Sequence, residues 1–348
     1  MIFEPKHGRR AAGEEHDEAR AELTLPASMV GAKAGPHVHD IDARWLMAYA
    51  GALEETAPEY FDTTRPEGVV AHPLFSVCYE WPSAVALRAQ LTSEEMAARS
   101  VHATHDLVIH RPVRAGDRLE TTATVTLVEP RTPGAYLVTR FETVDKRGEP
   151  VTTTEYGSIY RGISVDPQPG PLTRGGGNSN EPVTLRGKGP KASLSPQGRG
   201  PKFEPRRSRR AADEESGEAR AETMEGWSER VPISAGLAHV YTECARIWNP
   251  IHTDRAVALD AGLPDIILHG TATLALAVSQ VLRREPAEAA RRVRRIACRF
   301  TGMVRLPSAI TVQGLGETTG MASRVIAFQA MTEDGRPALS KGLIEIGD

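Results

Sequence analysis

Apolar residues recur at helical spacing near the start of two long segments of the chain. In the first segment this spacing covers DARWLMAYAGALEET and then the longer VVAHPLFSVCYEWPSAVALRAQL. In the second it covers SAGLAHVYTECARIW and IILHGTATLALAVSQVLRR, with NPIHTDRAVALDAGLPD as a turn and short helix between them. Such spacing places apolar side chains on one face of a helix. Each segment is therefore predicted to begin with helices, the last of them long and apolar.

The rest of each segment alternates apolar and polar residues, which predicts β-strands. The first segment continues with VHATHDLVIHRPV, DRLETTATVTLVE, AYLVTRFETVDK and PVTTTEYGSIYRG, and the second with RRIACRFTGMV, AITVQGLGET, ASRVIAFQAM and ALSKGLIEIG. A helix wrapped by an antiparallel sheet, occurring twice, is an α+β arrangement. Two such sheets can pair edge to edge, which removes an exposed edge from each half.

Two stretches lack this pattern and divide the chain. Residues 1–25 are charged and weakly apolar, and residues 164–225 contain PQPGP, GGGNSN and SPQGRGP. Both stretches are too polar, or too rich in Gly and Pro, to bury a core. We therefore predict a charged tail at 1–25, an N-terminal folded half at 26–163, a disordered linker at 164–225 and a C-terminal folded half at 226–348.

A charged repeat precedes each folded half. FEPKHGRRAAGEEHDEARAE at residues 3–22 recurs as FEPRRSRRAADEESGEARAE at residues 203–222. The repeat is interpreted either as a spacer copied together with a duplicated domain or as a segment that docks a partner.

Composition excludes several classes of protein. The formal net charge of −3 over 348 residues lacks the basic excess of a dedicated nucleic-acid-binding protein. The three cysteines, Cys78, Cys244 and Cys298, are widely spaced and form no CxxC pair, so reduced thiols are expected rather than disulfides or a zinc site. No signal peptide or membrane span is recognisable, so we expect a cytoplasmic protein that does not bind membranes.

The segment WNPIHTDRAVALDAGLPDIILHGTATLAL, at residues 248–276, carries the candidate chemistry. It resembles the signature of the MaoC-like, R-specific enoyl-CoA hydratases, in which Asn-Pro-hydrophobic-His-x-Asp is followed by a His-Gly pair that opens the central helix. Here Asn249, His252 and Asp254 match the first part and His269 and Gly270 match the second, at the family's spacing of 269 − 252 = 17 residues.

The resemblance implies a double hot-dog fold, in which two helix-wrapped antiparallel sheets form a pseudo-dimer. It also implies the reversible hydration of trans-2-enoyl-CoA, or dehydration of (R)-3-hydroxyacyl-CoA thioesters, in fatty acid metabolism. The partner is then an acyl-CoA substrate, with a homodimer of double hot dogs as a further possibility, and neither a metal nor a redox cofactor is implied.

The chemistry of these residues leads to the same site. An enzyme that moves water across the α,β bond of a thioester must stabilise the enolate oxygen and move a proton. Gly270 opens a long helix, where a free backbone N–H and the helix dipole favour negative charge, and it has no side chain to obstruct the oxygen. His252 is the candidate proton carrier, because an imidazole titrates near working pH and the turn Asn249-Pro250 fixes the preceding backbone, and Asn249 is expected to be a positioning group.

The neighbouring residues are assigned more structural roles. Asp254 is expected to cap the helix that follows it. His269 is expected to pack in the helix-opening turn beside the substrate, and Trp248 to form core or the wall of the acyl pocket. Several arginines follow the long helix and form either a site for CoA phosphate or a solvated basic face: Arg283, Arg284, Arg291, Arg292, Arg294 and Arg295.

The sequence departs from the family where its general acid/base aspartate stands, five residues before the histidine, because this chain has Ile247 there. Three accounts remain open. Glu243, four residues before Ile247, reaches the missing position from one helical turn away; or His252 is the sole acid/base; or the protein is a noncatalytic acyl-CoA-binding module. A hot-dog thioesterase is a further alternative, for which the sequence offers only Glu243 or Glu55 as the carboxylate.

The first half resembles the family's degenerate N-terminal hot dog. Aligning APEYFD with NPIHTD places Tyr60 opposite His252, Glu55 opposite Ile247, His72 opposite His269 and Pro73 opposite Gly270. Proline has no N–H to donate. The N-terminal half is therefore expected to shelter the acyl tail.

Overall fold

The structure of the protein is a computed structural model that describes residues 23–166 and 226–347. The charged repeat at 3–22 and 203–222 lies outside the described residues, as do nearly all of the predicted tail and linker. The predicted boundaries of the tail, linker and halves stay predictions.

The N-terminal half is built from a long helix and a curved antiparallel sheet, preceded by short helices. A small parallel pair, β1 with β7, is added at its side. The elements are β1 (Thr24–Pro26), β2 (Lys33–Asp40), α1 (Ala43–Ala52), α2 (Pro58–Phe61), α3 (Ser76–Leu91), α4 (Glu94–Ala98), β3 (Ser100–Ile109), β4 (Arg118–Arg131), β5 (Gly134–Asp145), β6 (Pro150–Arg161) and β7 (Ser164–Asp166).

The C-terminal half repeats this plan with fewer helices. Its elements are β8 (Ser228–Ile233), α5 (Leu237–Ala245), α6 (Arg255–Asp260), α7 (Gly270–Leu282), β9 (Val293–Phe300), β10 (Ser308–Thr319), β11 (Ser323–Thr332) and β12 (Pro337–Gly347). Short 3-10 turns occupy Ala27–Met29, Pro73–Phe75, Pro250–His252 and Ala289–Arg292. The predicted helices and the four later strands of each half are observed.

The two halves share one ten-stranded antiparallel sheet in the order β2-β4-β5-β6-β3-β9-β12-β11-β10-β8. The order is symmetric about the pair β3–β9, in which Leu107 lies opposite Ile296. Across the same pair, the guanidinium of Arg295 donates two hydrogen bonds, of 2.8 and 2.6 Å, to the carboxylate of Asp106. The predicted α+β fold with sheets paired edge to edge is therefore confirmed.

Strands β2 and β8, the outermost strands of the sheet, were not predicted. β2 alternates mostly exposed and half-buried residues, and only two residues of β8 are buried. An edge strand buries little apolar surface, so its sequence carries a weak alternation signal.

The short helices α1 and α5, which occupy equivalent positions in the two halves, also contact each other. The hydroxyls of Tyr49 on α1 and Tyr241 on α5 lie 3.4 Å apart. These residues are separated by 241 − 49 = 192 positions, the same offset as 252 − 60 between His252 and Tyr60. Both tyrosines are fully buried and belong to an apolar core that continues through Leu107 and Ile296 into both sheets.

None of the helices within residues 23–166 and 226–347 combines the length and the apolar character needed to cross a lipid bilayer.

The continuous core generates a stability prediction at the β3–β9 pair. Leu107 is 0% exposed, so Leu107→Ala is expected to lower the free energy of unfolding by about 2–5 kcal/mol through lost apolar contact and a residual cavity. Val108 points to the other face and is partly exposed, so Val108→Ala should cost less than about 1 kcal/mol. Urea denaturation followed by circular dichroism measures both, and equal effects of the two variants would contradict the shared core.

Candidate active site

A cavity of about 670 Å³ extends between the two halves. The C-terminal half contributes the turn around His252 and the start of α7, and the N-terminal half contributes one face of α3 together with parts of β3 and β6. The predicted site residues Asn249, His252, His269 and Gly270 all line this cavity.

His252 presents a neutral imidazole to the cavity. Its Nδ1 lies 2.8 Å from the carbonyl oxygen of Ile267. Because a carbonyl oxygen only accepts hydrogen bonds, Nδ1 carries the proton and donates it, which leaves a lone pair on Nε2. Burial lowers the pKa of His252 to about 4, so the ring is uncharged at neutral pH. His252 therefore has the protonation state of a general base.

His269 stacks on His252 and fixes the ring from one side. The two ring centroids are 3.8 Å apart, with planes inclined by 26°. Nε2 of His269 forms a 3.1 Å hydrogen bond with the hydroxyl of Thr242 on α5. Burial, and then the proximity of His252, lower the pKa of His269 well below its usual value. Two uncharged stacked rings avoid the repulsion that two imidazolium ions would have.

Gly270 is the first residue of α7 and directly follows His269. Within the described residues its backbone N–H has no hydrogen-bond partner, as expected for the first position of a helix. The ring of Phe300 packs so closely that two of its carbons would lie 3.1 Å from the Cβ of an alanine here. Glycine leaves this amide uncovered beside Phe300, whereas any Cβ would require the ring to move by a few tenths of an ångström.

The prediction that Glu243 reaches the position of the missing aspartate is wrong in its geometry. Glu243 is exposed on α5 and does not line the cavity. The helix ends at Ala245, and Arg246 has a left-handed φ of 58°, so Ile247 does not continue the helical spacing. Ile247 is buried in the cavity wall, and its N–H donates to the carbonyl of Thr242 over 3.1 Å.

Trp248 also differs from its prediction, whereas Asp254 does not. Trp248 is 59% exposed and lies outside the cavity lining, because the chain turns between Arg246 and Pro250 and directs neighbouring side chains to opposite sides. Asp254 caps α6, as its carboxylate accepts from the N–H groups of Ala256 and Val257 at 2.9 and 3.3 Å.

The corresponding position in the N-terminal half is packed with side chains. Nδ1 of His72 accepts from the N–H of Leu74 at 3.1 Å, and its Nε2 lies 3.3 Å from the hydroxyl of Ser279 on α7. Burial lowers the pKa of His72 to about 3. Glu55, Tyr60 and His72 are all buried, and none of them lines the cavity. The degenerate half therefore contributes to the cavity through α3 and not through its own pseudo-site.

Most of the arginines considered for CoA phosphate form ion pairs with acidic residues of the chain. Arg283 lies 3.7 Å from Glu55, Arg284 2.9 Å from Glu229, Arg291 3.6 Å from Glu59 and Arg295 2.6 Å from Asp106. None of the six arginines lines the cavity. The structural interpretation of this cluster is favoured.

The sequence analysis missed several polar cavity residues, among them Glu80 on α3 and His102 on β3. A local signal existed for Glu80, because it is an acidic residue within a long apolar helix. None existed for His102, whose place in the cavity depends on sheet pairing between distant segments.

Comparison with known proteins agrees with this arrangement in both halves. A family model described as MaoC like domain matches residues 223–330, and one described as FAS1-like, dehydratase domain region matches residues 28–154. Among curated proteins, a UPF0336 protein of Saccharopolyspora erythraea is 26% identical over 152 residues, which is 42% of this chain and 97% of that protein.

Solved structures resemble the whole described fold. A MaoC-like dehydratase from Phytophthora capsici superposes with a TM-score of 0.66 at 18% identity, covering 92% of this chain and 97% of that one. A Mycobacterium tuberculosis protein with a double hotdog fold superposes with a TM-score of 0.57 at 16% identity, covering 92% and 96%. At these identities the likeness supports the double hot-dog fold.

The buried histidines generate a prediction for stability against pH. The pKa values of His72, His105 and His252 are lowered to about 3, 4 and 4, so the unfolded chain binds more protons below about pH 6.5. Their contribution to stability is present above that pH and is lost as the pH falls toward 4, by about 1 kcal/mol each between pH 7.5 and 5.5. Glu80, with a raised pKa of about 7, acts in the opposite direction and offsets part of the loss.

Variants of single histidines test this assignment by urea denaturation at the two pH values. Neither ring nitrogen of His105 has a hydrogen-bond partner in the described residues, so His105→Phe should remove about 1 kcal/mol of the pH dependence. His110 is exposed, so His110→Ala is the control for replacing a histidine and should unfold at pH 7.5 with nearly the wild-type free energy. A pH dependence that His105→Phe does not reduce would contradict the proton-linked penalty.

Proposed function

This chain belongs to the family of MaoC-like dehydratases, and from that premise we propose that it catalyses the reversible hydration of trans-2-enoyl-CoA and the dehydration of (R)-3-hydroxyacyl-CoA thioesters. The observation that carries the proposal is the neutral His252 imidazole beside the free Gly270 amide in one cavity. We expect no metal or redox cofactor, since proton transfer and oxyanion stabilisation suffice for this reaction. Assembly into a homodimer of double hot dogs remains a prediction.

In the dehydration direction, Nε2 of His252 removes the proton from C2 of the thioester. The electron pair of the C–H bond moves into the carbonyl, and the N–H of Gly270 stabilises the resulting enolate oxygen at the start of α7. When the enolate collapses, the C3–O bond breaks and the His252 imidazolium transfers its proton to the leaving hydroxyl, which departs as water. Hydration is the reverse sequence, and one imidazole carries the proton in both directions.

The remaining cavity residues position the substrate in this proposal. Asn249 lies beside His252 in the lining and offers amide groups to the thioester, and His269 holds the plane of the His252 ring. The acyl tail extends from Gly270 into the space beneath α3 of the N-terminal half, which supports the role of that half as a shelter for the tail.

A noncatalytic acyl-CoA-binding module is the second candidate. One observation favours it: the apolar side chain of Ile247 lines the cavity at the position where the family has its acid/base aspartate. A hot-dog thioesterase has less support, because it requires a carboxylate to activate water at the carbonyl. Both carboxylates considered for that role, Glu243 and Glu55, lie outside the cavity lining, and Glu80, whose carboxyl group does line the cavity, belongs to the opposite half from His252 and Gly270.

One assay separates these functions. The purified protein is incubated with crotonyl-CoA and with longer or branched enoyl-CoAs, while the enoyl absorbance and free thiol are followed together. Loss of enoyl absorbance without thiol release supports the lyase, and thiol release supports the thioesterase. Binding without either change supports the noncatalytic module.

His252→Ala tests the proton carrier. We expect kcat of the hydration reaction to fall by about 10²–10⁴-fold, because no other side chain is assigned to move the proton. His110→Ala is the control, since His110 is exposed on the N-terminal half, and it should retain wild-type activity. Undiminished hydration by a folded His252→Ala protein would rule out the proposed mechanism.

Gly270→Ala tests the oxyanion donor. The added Cβ would meet the Phe300 ring at 3.1 Å, so the amide shifts or becomes covered, and kcat is expected to fall at least about tenfold with an intact fold. Gly51→Ala is the matched control, because Gly51 lies in α1 with nothing within 4 Å of its added Cβ. If both variants hydrate at the wild-type rate, Gly270 is not the oxyanion donor.

A further inference from the structure

The N-terminal half contributes a buried carboxyl group to the cavity wall. Glu80 on α3 is 3% exposed, and it lines the cavity together with Val77, Trp81 and Ala84. Burial raises the pKa of Glu80 to about 7, because an apolar environment disfavours the ionised form. Ionisation of a carboxyl group at this place therefore carries a desolvation cost.

Within the described residues, Glu80 has two hydroxyl neighbours, Thr154 and Ser76, and Ser76 lies one helical turn before it on α3. The hydroxyl of Thr154 on β6 donates to Oε1 of Glu80 over 2.6 Å. An ionised carboxylate has two oxygens with about four acceptor positions. Hydrogen bonds from Thr154 and Ser76 fill only part of this capacity, so Glu80 can accept another from a bound molecule.

The duplicated fold indicates that this carboxyl group is not required for folding. Glu80 lies seven residues after Pro73, and Ala277 lies seven residues after Gly270, so the two occupy equivalent positions on α3 and α7. Ala277 is fully buried and apolar. The C-terminal half thus builds the same helix on the same kind of sheet without a polar group at this position.

A series of aromatic contacts leads from the reaction site to Glu80. Phe300 packs on Gly270, and its ring centroid is 4.2 Å from that of His102, which stacks on Tyr156 at 3.7 Å. Tyr156 follows Thr154 by two residues on β6, and residues two apart on a strand share a face. An acyl chain that starts at Gly270 and follows these rings therefore arrives beside Glu80.

His102 also presents a hydrogen-bond acceptor in this region. Its Nε2 lies 3.1 Å from the carbonyl oxygen of Thr104, so Nε2 carries the proton of the neutral ring and Nδ1 carries the lone pair. Burial lowers the pKa of His102 well below its usual value, so the ring stays neutral. Along this path the ionised form of Glu80 and the Nδ1 of His102 both offer hydrogen-bond acceptors, which favours a ligand group that donates a hydrogen bond.

Resting on the proposed function, we infer that the preferred acyl chain carries a hydroxyl group beyond its reacting carbons, and that Glu80 is the specificity-determining residue that accepts its hydrogen bond. A plain alkyl chain would displace water from the buried carboxyl group and leave it with only the hydroxyl groups of the protein as donors. A chain with a hydroxyl group at this depth donates a hydrogen bond to Glu80 in place of the displaced water.

Binding measurements on unreactive ligands test this inference separately from catalysis. Isothermal titration calorimetry compares a saturated acyl-CoA of medium length with positional isomers that carry one hydroxyl along the chain. We expect one or two adjacent isomers to bind the wild-type protein about tenfold more tightly than the plain chain, the factor for a hydrogen bond to a charged group.

Glu80→Met then tests whether Glu80 causes the preference for a hydroxylated chain, because methionine has a similar length and no carboxylate to accept the hydrogen bond. We expect the preferred isomer to lose its advantage and the plain chain to bind as tightly as before or more tightly. Glu142→Met is the matched control, since Glu142 is exposed on β5 and does not line the cavity, and it should keep the wild-type ratio.

The outcomes distinguish this inference from the proposed function. If no isomer binds wild type more tightly than the plain chain, the inference is overturned while acyl-CoA binding stands, whatever the fate of the variant. A preference that persists in folded Glu80→Met also overturns it. If neither plain nor hydroxylated acyl-CoA binds at all, the proposed function itself fails, and this inference fails with it.

Discussion

The antiparallel pairing of β3 with β9 is the interaction on which the rest of this structure depends. It joins two five-stranded sheets into one, and Leu107 and Ile296 continue the apolar core through the join. It also brings His102 on β3 within 4.2 Å of Phe300 on β9, the residue that packs against Gly270. Without this pairing the cavity would lose one wall, because the C-terminal half holds the candidate reacting groups and the N-terminal half holds α3.

The two halves share one fold but differ in what they contribute to the cavity: the C-terminal half has the amide donor, and the N-terminal half has the helix that forms a wall. Pro73 removes the amide donor at the start of the N-terminal helix, where Gly270 keeps it in the C-terminal half. The pseudo-site is packed by His72, whose Nε2 lies 3.3 Å from the hydroxyl of Ser279 on α7. The N-terminal position equivalent to the site is thus part of the interface between the halves, and its helix α3 forms one wall of the cavity.

The sequence was sufficient for features set by local patterns. Helical spacing and alternation predicted the main elements, and the short motif from Asn249 to Gly270 predicted four residues that the fold brings to one cavity. It was insufficient where a helix ends within a pattern that suggests it continues. Arg246 adopts a left-handed conformation after the last residue of α5, so the helical spacing between Glu243 and Ile247 does not hold. His102 was unpredictable for a different reason, because only strand pairing over a long sequence separation brings it to the site.

The replacement of the family's aspartate by Ile247 removes a carboxylate, and it also affects the chemistry of His252. A carboxylate facing His252 would raise the pKa of the imidazole by favouring its charged form, whereas an apolar wall leaves desolvation as the dominant effect. The low pKa of His252 follows, and Nδ1 stays bound to the Ile267 carbonyl in either protonation state. In the proposed mechanism, an imidazolium formed in such surroundings is a strong acid. It therefore returns its proton readily to the leaving hydroxyl, which is the step that the family's aspartate would otherwise assist.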